Sequence, residues 1–152
     1  MRTPANIAKH PIHPMLVPIP IGLWVFSLVC DLIHVSGKFA GAWPTVALYT
    51  MIGGIVGALA AAIPGLIDLL SLPSEPKKTA LVHMAINLTV VALYVVNAWL
   101  RLGTPETLHV PIWLSVIAVG LLVISGWLGG KLVYIGGVAV DTSAEPVSTP
   151  RR

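Results

Sequence analysis

Histidines, a carboxylate and a tyrosine that could form a cofactor site lie at the ends of four apolar stretches of this sequence. His10 and His13 open the first stretch, in the run His-Pro-Ile-His-Pro, and His83 opens the third. Asp68 closes the second stretch and Tyr134 closes the fourth. A haem in a helical bundle takes axial imidazoles from facing helices, and a divalent metal takes imidazoles with a carboxylate. If the stretches are antiparallel helices, these groups meet at one end of a bundle.

The composition indicates a single-domain integral membrane protein. Of 152 residues, 56% are hydrophobic and only 10% are charged, and the mean hydropathy is +0.89. Soluble domains carry about a quarter charged residues. The net charge of +3 is small and spread over loops and tails, which argues against nucleic acid as a partner and leaves the lipid bilayer as the expected environment.

Four apolar stretches are long enough to cross a hydrocarbon core of about 30 Å, which needs roughly 20 helical residues. The connections are short, so we predict an all-α membrane protein, an up-down bundle of four transmembrane helices. The predicted spans are residues 14–35, 44–70, 80–100 and 110–134, within one domain of residues 1–141. The Ser/Thr/Pro-rich residues 142–152 are predicted to be a disordered tail.

Prolines disturb the start of the first span, at Pro11, Pro14, Pro18 and Pro20. Proline disfavours the α conformation in the residue before it, so we predict extended backbone at His10 and His13. With three residues per turn, these two side chains would then point the same way. Regular helix is predicted from about Pro20, with a cavity or re-entrant start near Pro14–Pro20, because freed carbonyls at this depth need partners.

A polar stripe follows the third span and crosses the membrane. Its members fall within an arc of about 80° on a helix and are His83, Asn87, Tyr94, Asn97 and Arg101. Lipid would not tolerate these groups, so the stripe is expected to face the bundle interior. Asp31 in the first span lies at the same end as Arg101, and we predict a buried ion pair between them.

The basic residues predict the orientation of the chain. Seven of the nine lie on the side of the two termini and two on the other; the seven are Arg2, Lys9, Lys77, Lys78, Lys131, Arg151 and Arg152, and the two are Lys38 and Arg101. Basic loops stay in the cytoplasm. We therefore expect both termini to be cytoplasmic, in a bacterial inner membrane.

Two functions remain open. The first is binding of a redox cofactor, a b-type haem or a transition metal ion, at the cytoplasmic end of the bundle, in the service of membrane electron transfer. The three histidines would be the ligands of either group, with the other polar residues in support; the full candidate set is His13, His83, His10, Asp68, Tyr134 and Asn87.

The second function is that of a cofactor-free structural or partner subunit. Small residues four apart form a ridge on the second span, at Gly53, Gly57, Ala61 and Gly65, and such ridges drive helix association and oligomerisation. Enzymatic activity is disfavoured in either case. The sequence has no Ser/His/Asp order, phosphate loop or HExxH motif, so no catalytic residue is assigned.

Several motifs resemble a family of small bacterial membrane proteins that carries the label domain of unknown function 2231. They are residues 10–17 with 20–24, the Pro-Gly-Leu-Ile-Asp run at 64–68, His83 with Asn87, and residues 125–134 running on to 137–141. The resemblance covers residues 9–141 and implies a four-span bundle. The family often has a third histidine near the start of the first span, where this chain has Pro18. Some members are joined to Rieske iron–sulfur domains, which implies a link to electron transfer and a Rieske-type redox partner.

Overall fold

The chain folds into a short N-terminal β-hairpin followed by helices that are long enough to cross a membrane. The computed structural model describes residues 3–39, 41–103 and 109–140. The elements in these ranges are β1 (Asn6–Ile7), β2 (His10–Pro11), α1 (Ile12–Leu16), α2 (Pro18–Val35), α3 (Trp43–Ser71), α4 (Ser74–Gly103) and α5 (His109–Tyr134). The tail predicted for residues 142–152 lies outside the described residues.

Four candidate membrane spans confirm the all-α membrane fold. They are Ile12–Val35, Trp43–Ser71, Ser74–Leu102 and Ile112–Tyr134. α2 packs most extensively on α3, and α4 on α5, so each half of the bundle is a helical hairpin. Smaller contacts of α3 with α4 and of α2 with α5 join the two hairpins. We call α1–α3 the first hairpin and α4–α5 the second hairpin.

The third span starts earlier than its hydropathy predicts. α4 begins at Ser74 rather than near residue 80. Pro76 falls in the first turn, where its missing N–H costs nothing, and Glu75 suits the positive end of the helix dipole. The extra turns carry Lys77 and Lys78, so hydropathy alone missed them.

The start of the first span is more helical than predicted. Helix runs from Ile12, with an interruption at Val17, instead of from about Pro20. Val17 keeps right-handed helical dihedrals, and its N–H donates to the His13 carbonyl over 3.1 Å. Pro14 lies in the first turn, where proline is tolerated. His13 is therefore helical, and the prediction that it is extended and aligned with His10 is wrong.

The chain before α1 folds back onto the end of α3. β1 and β2 pair antiparallel across Ala8 and Lys9, which both have positive φ, as a tight two-residue hairpin turn requires. An open groove of about 410 Å³ lies between this hairpin, α1 and α3, with Ile12, Leu16 and Pro64 among its walls. A cavity was predicted near this proline-rich start; the groove is apolar, and neither His13 nor His83 lines it.

The centre of the bundle is packed around two stacked rings. Trp24 and Tyr94 lie 4.5 Å apart between centroids, with their planes 8° from parallel. Met51 and Val90 complete the buried core around them. Gly54 faces the indole so closely that a Cβ there would lie 2.4 Å from Trp24 Nε1.

Candidate functional site

The end of the bundle that contains His13 and His83, which we call the histidine end, is where the sequence predicts the cofactor site. His83 lies on α4 and is held by a closed set of hydrogen bonds with Asn87 and with Ser125 of α5. Its Nδ1 lies 3.0 Å from the Ser125 carbonyl oxygen, and its Nε2 lies 3.0 Å from Asn87 Nδ2. The Ser125 hydroxyl donates to Asn87 Oδ1 over 3.0 Å. The cluster engages both ring nitrogens of His83.

His13 lies on α1 and packs against α3. Its Nδ1 lies 2.8 Å from the carbonyl oxygen of Ala61. Ala61 lies in α3 three residues before Pro64, a proline inside that helix. Nε2 of His13 has no hydrogen-bond partner among the described residues.

The two histidines are held in the same way. Each ring sits at Nδ1 against a backbone carbonyl of the facing helix, and a glycine follows four residues after that carbonyl. A Cβ on Gly65 would lie 2.7 Å from His13 Nδ1, and a Cβ on Gly129 would lie 3.3 Å from His83 Cε1. Both glycines therefore make room for an imidazole. Donation from Nδ1–H to a carbonyl fixes the tautomer in which Nε2 is the basic nitrogen.

His13 and His83 belong to different hairpins of the bundle. Their hydrogen bonds stay within their own hairpins, as far as the described residues go. In the same part of the chain, no group of three or more His, Cys, Asp or Glu side chains could hold a metal ion. The site therefore offers two imidazoles and lacks a third ligand of that type.

Three other predicted site residues have no hydrogen bond to His13 or His83 in the described part of the chain. Asp68 is buried, but its Oδ1 accepts the backbone N–H of Ala5 over 2.9 Å, so it anchors the N-terminal hairpin instead of orienting a histidine. His10 is exposed, and its Nδ1 lies 2.9 Å from the carbonyl of Ala8 in its own turn. Tyr134 is 90% exposed. Asn87 is the one predicted supporting residue that contacts a candidate ligand directly, at His83.

The opposite end, which we call the ion-pair end, contains the predicted ion pair. Arg101 Nη1 and Nη2 donate to the two carboxylate oxygens of Asp31 over 2.7 and 2.6 Å. Arg101 Nε donates to Asn97 Oδ1 over 2.9 Å, and Asn97 Nδ2 donates to Ser115 Oγ. Asp31 is fully buried and Arg101 nearly so. The prediction of this pair is confirmed.

Two features of the site were not assigned from the sequence. Ser125 contacts both His83 and Asn87, although it was noted only as part of a motif. Gly65 and Gly129 make room for the histidine rings, although the sequence assigned Gly65 only to a packing ridge and Gly129 only to a motif of the fourth span. One sequence pattern could have revealed these features. The first and third spans each have a histidine near their start, and the second and fourth spans each have a glycine near their end.

A family model described as "Predicted membrane protein (DUF2231)" matches residues 9–142. Neither the curated proteins nor the solved structures contain a match to the chain. The match covers most of the chain, including every candidate site residue. Its description places these residues in a membrane protein and assigns no ligand.

Proposed function

We propose that this chain, which belongs to the DUF2231 family of predicted membrane proteins, is a small membrane-embedded module that holds a b-type haem between His13 and His83. The haem would serve one-electron transfer at the membrane. The observation that carries the proposal is the shared anchoring of the two imidazoles. Each is tied at Nδ1 to a backbone carbonyl, over 2.8 and 3.0 Å, and each comes from a different hairpin.

The donor set fits a haem better than a metal ion bound by protein alone. Haem iron is already held by its porphyrin, so the two imidazoles of His13 and His83 would suffice to hold it in the protein. A zinc-type site needs three or four protein ligands, and the described residues bring no such group together. Of the two cofactors expected from the sequence, haem is therefore the one proposed.

The protein's own residues have defined tasks in this proposal. The Ala61 and Ser125 carbonyls hold the imidazoles in the tautomer that leaves Nε2 for the iron. Asn87 lies 3.0 Å from Nε2 of His83 and would have to release it on binding. Bound haem would supply a one-electron redox centre, whose potential depends on the axial ligands and on burial. The electron partner would be a membrane-associated redox protein, for which the family resemblance implies a Rieske-type iron–sulfur protein.

Titration of haem into the purified apoprotein in detergent tests the proposal. The wild-type chain is expected to bind one haem and to give the sharp absorbance of iron with two imidazole ligands. His13→Ala and His83→Ala should each remove that spectrum. His34→Ala, near the end of α2 away from the site, is the matched control and should bind as the wild type does. Equal binding by all four proteins, or by none, would contradict the proposal.

The alternative is a structural subunit without a cofactor, and one observation favours it: the histidines already complete contacts between helices. The ridge on α3 does not favour oligomerisation, since Gly53, Gly57 and Gly65 pack against α1 and α2 inside the chain. Gly126 and Gly130 of α5 have open space around them and would be the contact in an oligomer. A dimer in detergent that Gly126→Leu dissociates, together with failure to bind haem, would favour the structural function.

The orientation forms part of the proposal. With seven of nine basic residues on the side of the termini, the histidine end faces the cytoplasm. Reporter fusions at Ala144 and in the connection that contains Lys38 should give opposite readings. A periplasmic signal from the fusion at Ala144 would reverse the orientation and leave the haem site unaffected.

A further inference from the structure

The first and third spans repeat each other at an offset of seventy positions. At this offset His13 corresponds to His83, Trp24 to Tyr94, and Asp31 to Arg101. Two of these couples meet in space: the rings stack and the charges pair. Three couples at one offset, at three depths of the bundle, indicate a rotational relation between the two helices.

The second and fourth spans repeat each other at an offset of sixty-four positions. The carbonyl that holds His13 belongs to Ala61, and the equivalent residue, Ser125, holds His83. Gly65 corresponds in the same way to Gly129, and each lies under its own imidazole. Both hairpins therefore contain one complete copy of the same unit, a histidine, a carbonyl and a glycine.

Residues that correspond at these two offsets are also buried to similar degrees. From Pro20 to Ser27, the order of buried, intermediate and exposed residues is the same as from Val90 to Asn97. The positions from Met51 to Ala61 and from Ser115 to Ser125 also agree almost throughout. The exposed aromatic Tyr49 corresponds to Trp113, which is exposed to a similar degree. The repeat thus extends to the face that each helix turns toward the bundle.

α2 and α4 run in the same direction through an up-down bundle. A repeat of parallel elements is related by an axis along the membrane normal. The contacts between hairpins agree with such an axis, because α3 with α4 and α5 with α2 are equivalent pairs. The near-parallel stacking of the Trp24 and Tyr94 rings agrees with such an axis passing between them.

We infer that the bundle is a pseudo-two-fold pair of helical hairpins, and that His13 and His83 are the two equivalent halves of one ligand site on the axis. The nature of the ligand rests on the proposed function. A site with two equivalent imidazoles suits a centre with two opposite coordination positions, such as the iron of a haem. It does not suit a ligand that needs a different group on each side.

The charges show how the two halves differ. Two copies of the first hairpin would place Asp31 against Asp31, and two copies of the second would place Arg101 against Arg101. Only the unlike pair avoids buried like charges. Asp31 and Arg101 therefore select the pairing of the first hairpin with the second, at a position that the axis makes equivalent.

Exchange of equivalent residues in the full chain tests the two-fold relation. Asp31→Arg and Arg101→Asp are made singly and together, and the combined exchange also carries Ser27→Asn and Asn97→Ser, so that the amide that supports the arginine moves with it. Thermal unfolding in detergent is the measurement. Each single variant should lose stability, and the fourfold exchange should recover at least half of the average loss. An exchange no more stable than the singles would overturn the inference.

Exchange of ligands tests the shared site separately. His13→Met and His83→Met should give the same haem spectrum, that of one histidine and one methionine ligand. A change in only one of the two variants would overturn the equivalence. If the wild-type protein takes up no haem, the proposed function fails, and the unfolding experiment alone then decides the two-fold relation.

Discussion

The two ends of the bundle are held together in different ways. At the ion-pair end, Arg101 donates two hydrogen bonds to Asp31, and these join the second hairpin to the first. At the histidine end, the bonds of His13 and His83 join each histidine to the facing helix of its own hairpin. One end therefore clamps the hairpins to each other, and the other stabilises each hairpin separately.

Substitutions at the two ends should therefore have different effects. Loss of the Asp31–Arg101 ion pair weakens the association of the two hairpins and thus the stability of the whole bundle. Loss of a histidine leaves the Asp31–Arg101 ion pair intact and removes one bond between the two helices of a single hairpin.

The largest effect on stability is expected from breaking the Asp31–Arg101 ion pair. Asp31→Asn or Arg101→Gln leaves a buried charge without its partner, which costs about 3–5 kcal/mol. The double variant removes both charges and should recover part of this loss. Thermal unfolding in detergent measures all three. Strictly additive losses would contradict direct contact.

A surface pair supplies the control for this experiment. Lys78 lies 3.2 Å from Glu75, and both side chains are largely exposed. Exposed pairs contribute about 0–1 kcal/mol. Lys78→Gln should therefore leave the unfolding temperature nearly unchanged.

An intermediate effect is expected from adding a methyl group at Gly65, against which the His13 ring packs. A Cβ on Gly65 would lie 2.7 Å from His13 Nδ1, so the ring must move away from the Ala61 carbonyl. Overpacking of this kind costs about 1–3 kcal/mol. We expect Gly65→Ala to weaken haem binding as well as stability. Gly126→Ala is the matched control, since nothing lies within 4 Å of its added methyl group.

The smallest effect is expected at Asn87. Its amide lies 3.0 Å from Nε2 of His83 and competes with any ligand for that nitrogen. Val17 is the equivalent residue of the first hairpin. Asn87→Val should lower stability by about 1 kcal/mol, the contribution of a typical hydrogen bond. It should also leave haem affinity equal to that of the wild type or higher. Weaker binding in a titration would show that Asn87 supports the ligand instead of competing with it.

The sequence sufficed for features that hydrophobicity dictates. Four long apolar stretches predicted the spans, and the cost of an unpaired charge in the membrane predicted the contact of Asp31 with Arg101. It did not suffice where a tertiary contact decides. The helical backbone of His13 goes against the bias imposed by Pro14, and Asp68 binds Ala5, sixty-three residues away in the chain. The position of Tyr134 along the fourth span predicted the end of the bundle at which it lies. It could not predict which way the side chain points, and the side chain is exposed.

The two-fold relation was present in the sequence but is hard to detect there. Few equivalent residues are identical; His13 with His83 and Leu23 with Leu93 are two of them. The other couples are chemical opposites or loose substitutes, such as Asp31 with Arg101 and Trp24 with Tyr94. Only the contacts in space identify them as couples.

The central claim is that the two histidines share one haem, and a reduced-minus-oxidised absorbance spectrum of the protein purified from a haem-competent host tests it most directly. We expect a sharp band near roughly 400–430 nm with narrow accompanying bands that change on reduction, as iron with two imidazole ligands gives. The bands should be absent from the His83→Ala protein purified in parallel. A colourless wild-type protein that is folded in detergent and does not take up added haem would contradict the account.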